Sequence, residues 1–182
     1  MTTINVQDSL VLIIDIQTKL LNSVFNKQDL LKKATILANS ATILDIPTIV
    51  TEQYPKGLGE TIPELKNALP TNTKYYEKTS FSALDQEEIL DSIKQTKKSQ
   101  IIICGIETHI CVNQTVSALK DAGYNVFVVK DACGSREECE HIAGLERMKD
   151  HGAKITTTEI TLFEWLKSAK HPKFKEIQAL IK

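Results

Sequence analysis

Residues 100–123 read QIIICGIETHICVNQTVSALKDAG. The opening QIIICG is apolar on both faces, as a strand in the middle of a parallel sheet must be. The later part places valine, alanine and leucine at helical spacing. That predicts a helix ending at Gly123, a residue that accepts the left-handed turn after a helix C-terminus. A strand that runs through a short turn into a helix is half of a βαβ unit. Cys111 sits where the one hands over to the other.

The same alternation extends in both directions. Upstream, SLVLIIDI (residues 9–16) is a second strand apolar on both faces. Residues 28–45, QDLLKKATILANSATILD, read as a helix, with Asn26 as its cap and Asp29 in the first turn. PTIVTEQ follows as a strand, with Pro47 tolerated at its first residue. YPKGLGETIPEL is rich in Gly and Pro, so it reads as a loop holding a short helix. TKYYEK is a strand and LDQEEILDSIKQT a helix. Downstream, YNVFVVKDA is a strand, and SREE (residues 135–138) has the spacing of a capping box opening a helix to about residue 150. AKITT makes a short sixth strand, and EITLFEWLKSA and KFKEIQALIK are closing helices. The alternation predicts an α/β, doubly wound, three-layer fold with a six-stranded parallel sheet, Rossmann-like, joined by right-handed crossovers. No linker or repeat interrupts it, so residues 1–182 read as a single domain.

Composition narrows the function classes. With 42% hydrophobic and 25% charged residues, the chain has the balance of a soluble globular protein. A net charge of -1 provides no overall basic field, which argues against nucleic acid or an anionic membrane as partner. MTTINVQDS lacks the basic and apolar regions of a signal peptide, and the apolar runs are too short to span a bilayer. The four cysteines (104, 111, 133 and 139) show no C-x-x-C spacing, so reduced thiols in the cytoplasm are expected.

Three polar residues interrupt the apolar pattern near strand ends: Asp15 after VLII, Lys78 at the end of TKYYEK, and Cys111 one short turn beyond QIIICG. In an open parallel sheet, ligand sites lie outside the carboxyl ends of the strands, where strand order reverses. With strand order 3-2-1-4-5-6, Asp15 and Cys111 face each other across that point and Lys78 arrives from the third strand. The trio has a coherent chemistry. A helix start and a lysine favour a thiolate; a carboxylate takes a proton and later activates water; backbone N–H groups hold an oxyanion.

LIIDIQ, EKTSFSA and GIETHICV resemble the three signature segments of the isochorismatase-like cysteine hydrolases, and TEQYPKGLGETIPEL and DACGSR also look like that family. The resemblance runs from about residue 8 to residue 165 and extends in particular to the small isochorismatase-domain proteins of undefined substrate. It implies a catalytic triad of Asp15, Lys78 and Cys111. It also implies a cis peptide between Ile106 and Glu107, aiming the N–H groups of Glu107 and Cys111 at an oxyanion. Nicotinamidases of the superfamily hold a metal with an aspartate and histidines after the second strand; here that segment has no histidine, so neither a metal nor another cofactor is expected. True isochorismatases lack the cysteine nucleophile, so Cys111 directs the expectation to amide, carbamoyl or related C–N bonds. A small-molecule substrate and a homo-oligomer are the expected partners.

Other features have plainer readings. Cys104, inside a strand, reads as core, and Cys133 and Cys139 as packing or surface residues. His109 is two residues from Cys111, so on a helix it faces elsewhere, and His141, His151 and His171 lack metal-ligand spacing. Gly57-Leu-Gly59 follows the second strand and does not make a dinucleotide fingerprint. Gln17, Tyr54, Leu58, Phe81 and Thr108 flank the strand ends as candidate pocket residues. Two readings compete with hydrolysis: a catalytically silent binding or scaffold protein, and a thiol redox protein, the latter disfavoured by the missing C-x-x-C.

Overall fold

A computed structural model describes residues 3–182; Met1 and Thr2, which open the stretch MTTINVQDS, lie outside it. Six strands form one parallel sheet: β1 (Ser9–Ile14), β2 (Thr48–Gln53), β3 (Lys74–Lys78), β4 (Gln100–Ile106), β5 (Asn125–Gly134) and β6 (Lys154–Thr156). Their order is β3-β2-β1-β4-β5-β6, the doubly wound arrangement expected from the alternating pattern. β1 and β4 are buried along their whole length, which is why neither shows a polar face in the sequence.

The helices are α1 (Thr18–Asn22), α2 (Lys27–Ile43), α3 (Pro55–Leu58), α4 (Pro63–Lys66), α5 (Glu87–Thr96), α6 (Asn113–Asp121), α7 (Glu138–Asp150), α8 (Thr158–Leu166) and α9 (Phe174–Ala179). α2 and α8 pack together and against β5 in one layer; α6 and α7 pack together and against β5 in the other. Buried Trp165 of α8 donates its indole N–H to Ser9 Oγ at 2.9 Å, fixing that layer to the start of β1.

Several local expectations differ from the structure. Asn26 occupies the position before α2, but its amide does not cap the helix. Its Nδ2 donates instead to the Cys133 carbonyl of β5, a partner that only the tertiary fold supplies. α7 opens after Glu137 rather than Ser135, whose hydroxyl is engaged by His109 at 2.9 Å. The helix expected to end at Gly123 is preceded by a π-helical turn over Thr108–Val112, and α6 starts only at Asn113. In that turn the N–H groups of Ile110 and Val112 both donate to the Glu107 carbonyl, at 3.1 and 3.2 Å. Gly123 does end α6, with φ +88°.

At the switch point the backbone of β4 requires a glycine. Gly105 of β4 pairs with Ile14 of β1, and its φ is +136°. A Cβ at Gly105 would overlap the Ile14 carbonyl oxygen. The β4–β5 register also shifts between Ile103 and Gly105. The backbone is thus irregular at the point where β1 gives way to Asp15.

Candidate active site

Asp15 follows β1 in a left-handed conformation, φ +51°, which aspartate tolerates better than most side chains. Its N–H donates to the Thr51 carbonyl at 3.1 Å and its own carbonyl accepts from Gln17 N–H at 2.8 Å. The carboxylate is fully buried. Lys78, the last residue of β3, crosses over β2 to reach it, and Nζ lies 2.6 Å from Asp15 Oδ2. The remaining ammonium hydrogens are shared among Gln53 Oε1 (2.6 Å), the Ser80 carbonyl (3.2 Å) and the Phe81 carbonyl (3.3 Å). The other carboxylate oxygen, Oδ1, accepts from Thr51 Oγ at 2.6 Å. Both charges are thus paired and hydrogen-bonded, the condition for an ion pair to persist out of water.

Cys111, 7% exposed, projects from the π-helical turn and lies close enough to Asp15 and Lys78 for both charges to act on its thiol. Its thiol is pushed up to about 12, first by burial and then by the negative charge of Asp15, with Lys78 opposing. This corrects the expectation of a resting thiolate. Burial and the carboxylate outweigh the lysine, and the residue precedes the α-helix instead of lying in its first turn. The resting site therefore holds a neutral thiol beside a carboxylate that can accept its proton.

The Ile106–Glu107 peptide is cis. Ile106 is buried at the end of β4. The Glu107 side chain turns to Arg136, 3.1 Å from its Nε. The five candidate pocket residues divide. Tyr54 and Phe81 are more than half exposed, and both touch Lys78 through backbone: Tyr54 N–H donates to the Lys78 carbonyl at 2.9 Å, and the Phe81 carbonyl accepts from Nζ. Leu58 is half-buried in α3. Gln17 and Thr108 are fully buried and committed elsewhere. Gln17 Oε1 accepts from Gln53 N–H (2.7 Å), and its Nε2 donates to the carbonyls of Gln53 (2.9 Å) and Gly59 (2.5 Å). Thr108 Oγ shares a hydrogen bond with His141 Nδ1 at 2.8 Å, on the side of α7. Gln17 thus braces the loop after β2, and Thr108 ties the π-helical turn to α7. These two side chains do not line the mouth of the site.

Thr51 and Gln53 are the residues that the sequence reading missed. The rule that picked out Asp15, a polar side chain at the carboxyl end of an apolar strand, applies equally to TEQ at the end of β2. Register then places Thr51 beside Ile14 and Gln53 beside Lys78. His109, engaged with Ser135, does not join the trio. Cys104 and Cys133 are buried and Cys139 is exposed, all unbridged. Among the described residues no three His, Cys, Asp or Glu side chains are grouped to hold a metal ion.

The isochorismatase domain pattern matches residues 9–160. The chain belongs to the isochorismatase family. Within that family it is similar to isochorismatase domain-containing protein 2 of Xenopus laevis, with 42% identity over 177 residues, covering 96% of this chain and 84% of the relative. Among solved structures it resembles the MAR1 ribonuclease of Caenorhabditis elegans, with 40% identity, TM-score 0.95, and coverage of 99% and 92% of the two chains. It also resembles the YcaC protein of Escherichia coli, described as an octameric hydrolase of unknown specificity, at 26% identity and TM-score 0.89, covering 100% of this chain and 95% of the other. The isochorismatase-family sheet is the frame in which Asp15, Lys78 and Cys111 meet, each at or just beyond the carboxyl end of a different strand.

Proposed function

We propose that the protein is a cysteine-dependent hydrolase of a small amide, carbamoyl or related C–N substrate, acting through a thioester on Cys111. The observation that carries this reading is the fully buried Lys78–Asp15 pair, 2.6 Å apart, whose two charges act on the buried Cys111 thiol. Asp15 takes the thiol proton as the sulfur attacks the substrate carbonyl. The tetrahedral oxyanion is held by the backbone N–H groups of Glu107 and Cys111. The C–N bond breaks, the leaving ammonia or amine takes the proton from Asp15, and an acyl-thioester remains. Asp15 then removes a proton from water, the hydroxide attacks the thioester, and the thiol is restored as the acid departs. Lys78 keeps the carboxylate oriented throughout.

The family membership and the hydrolase description of the E. coli relative support a hydrolytic activity. The ribonuclease name of the nematode relative makes RNA the second substrate to test. A net charge of -1 offers no overall attraction to phosphates, and Lys78 is sequestered with Asp15, so the amide reading is preferred. The elevated Cys111 thiol keeps a silent binding or scaffold protein as the other reading. A homo-oligomer is proposed from the octameric relative, and a reducing, cytoplasmic setting from the unbridged cysteines. Among the described residues no helix is long and apolar enough to cross a membrane. A panel of small amides and ureides read by ammonia release, with a short RNA alongside, tests the function. Ammonia release that needs Cys111 supports it; RNA cleavage without it contradicts it.

A further inference from the structure

We infer that Thr51 is a positioning residue that sets how readily Asp15 accepts the Cys111 proton, an inference that rests on the triad reading. Asp15 is held at both oxygens. Lys78 occupies Oδ2, and the Thr51 hydroxyl donates to Oδ1 at 2.6 Å, with both side chains fully buried. β2 is fixed against β1 on either side of that bond, by the Ile14–Thr51 pairing and by Asp15 N–H donating to the Thr51 carbonyl. The hydroxyl therefore has a fixed direction, and a methyl group in its place would leave Oδ1 buried without that donor.

The bond fixes the plane of the carboxylate toward Cys111. Without it Oδ1 can turn away from the thiol, and passage of the Cys111 proton to Asp15 slows by about tenfold or more, the loss expected for one hydrogen bond to a charged group.

Iodoacetamide tests this without a known substrate. The Cys111 sulfur attacks the methylene carbon, iodide leaves, and the thiol proton passes to Asp15. Exposed Cys139 provides a reference in the same molecule. Alkylation of each cysteine is followed by peptide mass spectrometry across pH in wild type, Thr51→Val, Thr51→Ala and Thr51→Ser, each checked for folding by circular dichroism. The expected result is Cys111 alkylation slowed by about tenfold or more in Thr51→Val and Thr51→Ala. Thr51→Ser restores the Cys111 rate, and the Cys139 rates do not change. Profiles that superimpose on wild type in folded Thr51→Val and Thr51→Ala overturn the role of Thr51 while leaving the triad intact. A wild-type Cys111 profile identical to that of folded Asp15→Asn overturns the triad itself, and the inference with it.

Discussion

At the scale of single residues, the site is a set of groups whose charges cancel in a dry place. Asp15 and Lys78 are both fully buried. Removing one partner leaves the other charged without compensation, which is far more costly than never burying the pair. Lys78→Met should therefore lower stability by about 3–5 kcal/mol, read as a lower urea midpoint with an unchanged slope. A near-neutral Lys78→Met would mean that Asp15 is not charged in the fold. The trio was legible in the sequence because Asp15, Lys78 and Cys111 are polar exceptions near strand ends. Thr51 and Gln53 are such exceptions too, but their worth lies in what they donate to and accept from, and that depends on strand register. The state of the thiol was not legible, because burial outweighs the lysine only once the turn around Cys111 is packed.

At the scale of elements, the strands and most helices follow from periodicity, while the turn that bears Cys111 does not. A π-helical turn has no sequence period of its own; packing fixes it. Gly144 of α7 lies against the turn so closely that an added Cβ would stand 2.9 Å from His109 Cα and 3.0 Å from His109 N. Alanine would favour the helix by about 1 kcal/mol, but it would drive backbone against backbone, and overpacking costs about 1–3 kcal/mol. Gly144→Ala should thus destabilise the protein despite its better helix propensity, with thermal unfolding as the readout; a stabilised variant would show that α7 is free to move off the turn. Ser135 teaches the same lesson about caps. Its spacing to Glu138 suits a capping box, yet its hydroxyl serves His109 and the helix starts two residues later than that spacing suggests.

At the scale of the whole molecule, the strand order brings three strand ends to one place; the alternation of apolar strand and helix predicts the doubly wound class, and the structure supplies the order. The same burial has a consequence for stability in alkali. Cys104, Cys111 and Cys133 are all raised by burial, Cys111 and Cys133 to about 12. A thiol raised in the fold gives stability that is whole below the unfolded value of about 8.5 and is lost as pH climbs through the folded one. Between about pH 9 and about pH 11, each such thiol steepens the loss by up to about 1.4 kcal/mol per pH unit. Cys133→Ala, besides a constant packing loss, should show a correspondingly shallower fall in urea-unfolding free energy across that range; an identical slope would contradict the buried neutral thiol. The central claim, that Cys111 forms the covalent intermediate, is tested most directly by ammonia release from the best amide of the panel, comparing wild type with folded Cys111→Ala. The variant should lose essentially all turnover, and a rate near wild type would contradict the thioester route outright.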